Sequence, residues 1–178
     1  MDVEDMKIEV LPPNATIKYL GKMITFDHST RDEIKNRIKS AWAKFLSLKD
    51  ELTNKQYSLN CRLKLFQSTV SSTMLYGCAA WTLTKNLEQQ IRRTQRQMLR
   101  MMIGSGRRIV CAESKAIEPW VDWLKRTTHQ AEDRLRELKI PDWISAHRRL
   151  KLHWAKRLAT TEDHTWTWRA MMWDPDPF

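Results

Sequence analysis

Arginines are the residues of this chain best suited to chemistry. Between positions 85 and 108, Lys85, Arg92, Arg93, Arg96, Arg100, Arg107 and Arg108 stand against Glu88 alone, a local charge of +6. On a helix at about 100° per residue, Arg92, Arg96 and Arg100 share an arc of about 80°, with Arg93 beside it. A guanidinium is a planar fork that donates two hydrogen bonds at once, and phosphate accepts in that geometry. A merely solvated helix face interleaves Glu one turn before its cations, and only Glu88 is placed to do so. The missing counter-charge favours a phosphate-binding face over a solvated one. The same helix, with Leu99, Met101 and Met102, could also lie on an anionic membrane or in a calmodulin-like groove. Arg148, Arg149, Lys151, Lys156 and Arg157 form a second, more diffuse basic focus that flanks an apolar stripe, for which a solvated face is the simpler reading.

Other chemistry is thinly represented. There is no adjacent Asp pair, no Glu-x-x-His or His-x-x-x-His spacing, and four glycines leave little room for a phosphate loop. The five histidines are scattered, and His147 reads as a satisfied core residue. Cys61, Cys78 and Cys111 include no CxxC, which argues against a disulfide framework or a structural zinc and for a reducing compartment. No catalytic centre and no cofactor site can be assembled. Of the nine tryptophans, Trp42, Trp120, Trp123, Trp143 and Trp154 fall on apolar stripes, where an aromatic fills core volume. Trp166 and Trp168 have no assigned core.

The elements that must position these residues follow from periodicity. Lys7–Leu11 and Thr16–Thr25 are β-branched and aromatic runs around Pro12-Pro13-Asn14-Ala15, which suits a hairpin. Capped within Asp27–Thr30, a helix carries Ile34, Ile38, Ala41, Trp42, Phe45, Leu48 and Leu52, and breaks at Thr53-Asn54. A second, from about Ser58 to Gly77, aligns Leu59, Leu63, Phe66, Val70 and Met74. The third, opened by Thr84, holds the arginines and stops at Gly104-Ser105-Gly106. After a basic linker at 104–118, Pro119 and Pro141 open two more helices. The tail from Thr160 shows no clear period. The expectation is a mainly α chain with a short N-terminal β-hairpin (1–27), a three-helix bundle (28–103), the linker, and a second small helical module (119–178).

The 178 residues carry a net charge of +10, concentrated as about +16 in the middle between two ends of −3 each. No apolar run approaches the roughly 20 residues of a membrane span, and the acidic N-terminus does not resemble a secretory signal. An intracellular protein, cytoplasmic or nuclear, with anionic partners and no membrane is expected.

Several segments resemble the reverse transcriptases of non-LTR, LINE-type retrotransposons. Thr16-Ile17-Lys18-Tyr19-Leu20-Gly21-Lys22-Met23-Ile24-Thr25, trailed by Glu33-Ile34-Lys35-Asn36-Arg37-Ile38, is similar to the segment that follows their palm. Leu75-Tyr76-Gly77-Cys78-Ala79-Ala80-Trp81-Thr82-Leu83-Thr84 resembles the Leu-Tyr-Gly…Trp-Thr-Leu signature of their thumb, and Arg96-Gln97-Met98-Leu99-Arg100 the basic stretch after it. Arg148-Arg149-Leu150-Lys151-Leu152-His153-Trp154-Ala155 is faintly similar to a C-terminal Arg-rich helix.

The resemblance implies a primer-grip-like hairpin with Lys18 and Lys22 near the primer end. Gly21 would let its backbone approach nucleic acid. It also implies a thumb over 28–103 that holds a template–primer duplex by its backbone. Phosphate contacts would come from Arg92, Arg93, Arg96, Arg100, Arg107 and Arg108, with Arg148 and Arg149 farther on, and without sequence preference. The family's paired palm aspartates and their magnesium ions have no counterpart here. That palm would precede Met1, as an upstream palm and fingers polypeptide, and the expectation is a catalytically incomplete fragment. The alternatives are part of an active RNA-directed DNA polymerase whose palm lies elsewhere, and a vestigial or protein-interaction module.

Overall fold

The computed structural model describes residues 2–3, 6–7, 12, 15–25, 30–111, 116–160 and 166–172. It is mainly helical, with an antiparallel hairpin near its N-terminus, as the periodicities lead one to expect. The described hairpin forms within Thr16–Thr25, a run expected as a single strand beside the turn at Pro12–Ala15. Strand β3 (Thr16–Tyr19) pairs with β4 (Lys22–Thr25) in the register Thr16↔Thr25 to Tyr19↔Lys22. The two-residue turn puts Leu20 and Gly21 at φ 47° and 79°, the double positive φ that matches the twist of paired strands. Of the expected first strand, Lys7 lies in β2 (Met6–Lys7), paired with β1 (Asp2–Val3), and Ile8–Leu11 are outside the described residues. So are Pro13 and Asn14 of the expected turn, and Asp27–Ser29 of the expected cap.

Helices α1 (Thr30–Ser47) and α2 (Lys49–Thr53) divide the expected first helix at Leu48. Helix α3 (Leu59–Phe66), capped by Ser58, runs through a π-helical turn at Gln67–Ser71 into α4 (Ser72–Met74). The π-turn has a local cause. Ser68, Thr69 and Thr73 donate their hydroxyls to carbonyls three or four residues back, at 3.1, 2.6 and 2.9 Å, and such back-bonding competes with the regular ladder. Helix α5 (Lys85–Ile103) starts on the Thr84 side chain and stops where Gly104 turns left-handed. Helices α6 (Trp120–Glu137), α7 (Trp143–Ala159) and α8 (Trp166–Met172) follow, α8 in the tail where no period is visible in the sequence.

One buried cluster joins helices α1 to α7. Ile34, Phe45, Leu63, Phe66, Met74, Trp81, Ile91 and Met98 share it with Ala131, Leu135, Trp143 and Ile144. Aromatic rings run through its centre: Trp42 meets Phe45 edge-on at 5.7 Å, Phe45 meets Phe66 edge-on at 6.4 Å, and Phe66 stacks on Trp143 at 5.9 Å. The buried Arg62 donates to the carbonyls of Tyr57, Leu52 and Met102. Two of these acceptors belong to the last turns of α2 and α5, which have no partner inside their own helices. Two tryptophans depart from the apolar stripes on which they lie: Trp120 and Trp154 are exposed. Helix α6 buries only Thr127, Ala131 and Leu135, so its first turn stands clear of the core.

Candidate nucleic-acid interface

Of the three helical arginines that share an arc, Arg92 and Arg96 line one groove and Arg100 does not. Arg92 and Arg96, with Gln95 and Leu99, form one wall of a cleft of about 420 Å³, and Glu132, Leu135 and Arg136 of α6 form the other, closed by Pro141 and Asp142. The buried side of α5 includes Gln95 and Leu99, so the arginine arc adjoins the core, and α6 packs beside it. That packing supplies the counter-charge absent from α5 itself. Arg96 pairs with Glu132 at 2.6 Å, across 36 residues of sequence. Arg100 donates to the Thr128 hydroxyl at 3.2 Å. Partial burial, and then the Arg96 charge, lower the pKa of the Arg100 guanidinium. Burial raises the Asp142 carboxyl, but hydrogen bonds from Ser145 and Ile144 and the Arg92 charge more than reverse the shift. Arg93 points outward and is exposed.

The other expected contacts separate into three places. Arg107 and Arg108 sit at the base of a short hairpin, β5 (Ile109–Cys111) and β6 (Ala116–Ile117). The stretch 104–118 is fastened to α6 by Glu118, which takes Arg126 at 2.7 Å and the Arg108 amide at 3.2 Å. The hydrogen bond from Arg126 is the largest cause holding the Glu118 carboxyl down at about 2. Arg107 donates to the Glu118 carbonyl and Trp123 to that of Ser105. On α7, Arg148 reaches back to Glu88 of α5 at 2.9 Å, while Arg149 is exposed. His147 is buried as expected but is not satisfied: it stacks on Trp81 at 5.9 Å, and among the described residues neither ring nitrogen finds a hydrogen-bond partner.

The third place is the β3–β4 hairpin. Lys18 and Lys22 are both exposed, and the register puts them on opposite faces, Lys18 across from Met23 and Lys22 across from Tyr19. The turn of the hairpin is clamped to the bundle. Glu33 accepts the Met23 amide at 2.7 Å and Arg37 Nε at 2.6 Å. Arg37 also donates to the Gly21 carbonyl, and its guanidinium lies 4.6 Å from the centre of the Tyr76 ring. Tyr76 Oη donates to the Leu20 carbonyl at 3.1 Å. Gly21 is therefore required by its own φ, and its carbonyl is occupied by Arg37.

Glu33, Arg37, Gln95, Glu132, Arg136 and Asp142 were not candidates in the sequence. The i,i+4 spacing of Glu33–Arg37 and of Glu132–Arg136 was a visible signal, but only the first pair forms, since Glu132 pairs with Arg96 and Arg136 with Asp133. Among the described residues no group of three or more His, Cys, Asp or Glu is placed to hold a metal, and no helix is long and apolar enough to cross a membrane.

Comparison with known proteins finds similarity to a transposon-derived protein. The chain is 29% identical over 160 residues to this protein of Caenorhabditis elegans, a match covering 88% of this chain and 51% of that one. The chain thus spans about half the length of its curated relative. No family model and no solved structure matches it.

Proposed function

We propose that the chain holds a nucleic-acid duplex by its phosphate backbone, as the thumb and adjoining segments of a LINE-like reverse transcriptase, and itself performs no bond-making step. The observation that carries this reading is the clamp at Leu20-Gly21. It joins the segment that resembles the post-palm hairpin to Tyr76 of the segment that resembles the thumb signature. A basic hairpin fixed on a helical bundle is what a backbone grip requires, because loosely held cations lose in side-chain and loop entropy what they gain from phosphate. The transposon-derived relative is consistent with such an origin. Polymerisation, in this reading, belongs to a palm on another stretch of polypeptide, and the magnesium ions belong with it.

Salt dependence tests the reading. Each neutralised phosphate adds roughly 0.7–0.9 to the slope of log affinity against log salt. Replacing the exposed Lys18, Lys22 and Arg93 together by Gln should lower the slope by about 2 and weaken duplex binding uniformly across sequences. An unchanged slope and affinity sink the proposal. One observation favours a second reading, a polypeptide partner: the hairpin exposes Ile17, Tyr19, Leu20 and Ile24. In that case the same triple variant binds duplex as the native chain does.

A further inference from the structure

Helix α7 changes character at its middle. Trp143, Ile144, Ala146 and His147 are buried, and every residue from Arg148 to Arg157 is exposed. From Trp143 to Ala159 there is no acidic residue. At about 100° per residue, the buried set and Trp154 mark the inner side. Ser145, Arg149, Leu152, His153 and Lys156 share an arc of about 100° on the outer side. Arg148 and Lys151 tie the helix back to the body: Arg148 pairs with Glu88, and Lys151 donates to the Trp81 carbonyl at 2.9 Å. Arg149 and Lys156 stand on the outward face, beside a Leu152 that is 71% exposed. The distal part of α7 is thus a rod with a cationic outer face, held out from the bundle by its first turns.

We infer that this outer face enters the major groove of a B-form DNA duplex, so that DNA, not an A-form duplex, is the ligand of this part of the chain. The inference rests on the nucleic-acid reading above and names its substrate class. Charge complementarity selects a polyanion, and shape selects among polyanions. A helix about 10–12 Å across matches the roughly 12 Å major groove of B-DNA. The major groove of an A-form duplex is too deep and narrow for side chains to read. The residue types suit groove edges: an arginine for guanine N7 and O6, an apolar side chain for the thymine methyl, and a lysine for the flanking phosphates. The twelve residues from Arg148 to Ala159 give about 18 Å of helix, enough to follow the groove past several base pairs.

The test uses the full chain with three duplexes of one sequence, about two turns long: DNA–DNA, RNA–DNA and RNA–RNA. Fluorescence anisotropy should show DNA bound about tenfold tighter than either A-form duplex. Dimethyl sulfate should show guanine N7 atoms, which lie in the major groove, protected. The double substitution Arg149→Gln, Lys156→Gln should abolish that protection and cost about tenfold in DNA affinity, the worth of one good base contact. Binding to RNA–DNA should stay unchanged. Leu152→Asp, which adds negative charge at the same face, should do the same, with helicity by circular dichroism intact for both. Equal losses on all three duplexes, or unprotected N7 atoms, overturn the inference and leave backbone binding standing. Tighter capture by vesicles rich in phosphatidylserine than by DNA overturns it in favour of a membrane surface. Failure to bind any duplex removes both.

Discussion

At the level of single residues, the hairpin clamp concentrates more energy than any ion pair at the surface. Glu33 and Arg37 are both nearly inaccessible to solvent, and each satisfies a backbone group of the hairpin as well as its partner. Removing one member of such a pair strands the other charge in a poor dielectric. Breaking a buried pair this way costs about 3–5 kcal/mol, whereas replacing both members can be nearly neutral. Arg37→Met should therefore lower the unfolding free energy by about 3 kcal/mol. Glu33→Gln added to it should restore a good part of that loss, because the glutamine side-chain oxygen can still accept the Met23 amide. Urea titrations of the single and double variants check this, and equal stabilities for the two would contradict a buried charge as the cause. The exposed pairs Lys35–Asp32 and Arg136–Asp133 should each matter by less than about 1 kcal/mol.

At the level of elements, the decisive arrangement is α5 between α6 and α7. Periodicity alone places α5, its Thr84 cap and its Gly104 stop, because these depend on residues within a few positions of one another. What lies on the far side of α5 depends on residues 28 to 60 positions away: Thr128, Glu132 and Arg148. No local pattern encodes which helix covers which face, so the arginine arc looked bare in the sequence. The hairpin shows the same limit. Thr16–Thr25 reads correctly as β but as one strand, because the turn at Leu20-Gly21 that divides it is held by contacts with the distant Arg37 and Tyr76. Trp120 follows the apolar stripe and is exposed all the same, because only the middle and end of α6 reach the core. Helix α7 is anchored in turn by Trp143, whose indole donates to Ser71 at 2.8 Å and whose backbone amide donates to Gln95 at 3.0 Å. Ser71→Ala leaves the buried indole N–H unpaired and should cost about 1–3 kcal/mol. Trp143→Ala should cost about 3–5 kcal/mol, with thermal melts of the two variants as the measure.

At the level of the whole molecule, stability should depend on pH in two steps. Burial, and then the Lys151 charge, hold the pKa of His147 below its ordinary 6.5, a shift that the nearby Trp81 backbone and Glu88 partly offset and Arg148 adds to. Below about pH 6.5 the unfolded chain takes up a proton that the folded one resists, so stability is full above that value and declines as pH falls. The second decline comes from Glu118, whose carboxyl is lowered from 4.5 to about 2. Its contribution is present above pH 4.5 and disappears as pH falls toward 2. His147→Phe keeps a ring against Trp81 and should flatten the melting temperature between about pH 7 and 5 while leaving the acid limb in place. A profile unchanged in that window would mean that α7 stays seated when its histidine is charged.

The seat of Trp143 also sets an order of assembly during synthesis. Its two hydrogen-bond partners precede it by 48 and 72 residues, and closing loops of that size carries an entropic cost before any contact returns it. A ribosome releases Ser71, Gln95 and the face of Phe66 well before it delivers the residue that fills the space between them. The nascent chain thus passes through a stage in which helices α1 to α5 are complete and their aromatic centre lies open to water. Such a stage is where aggregation and chaperone capture compete with folding, and it ends only when α7 arrives as a keystone.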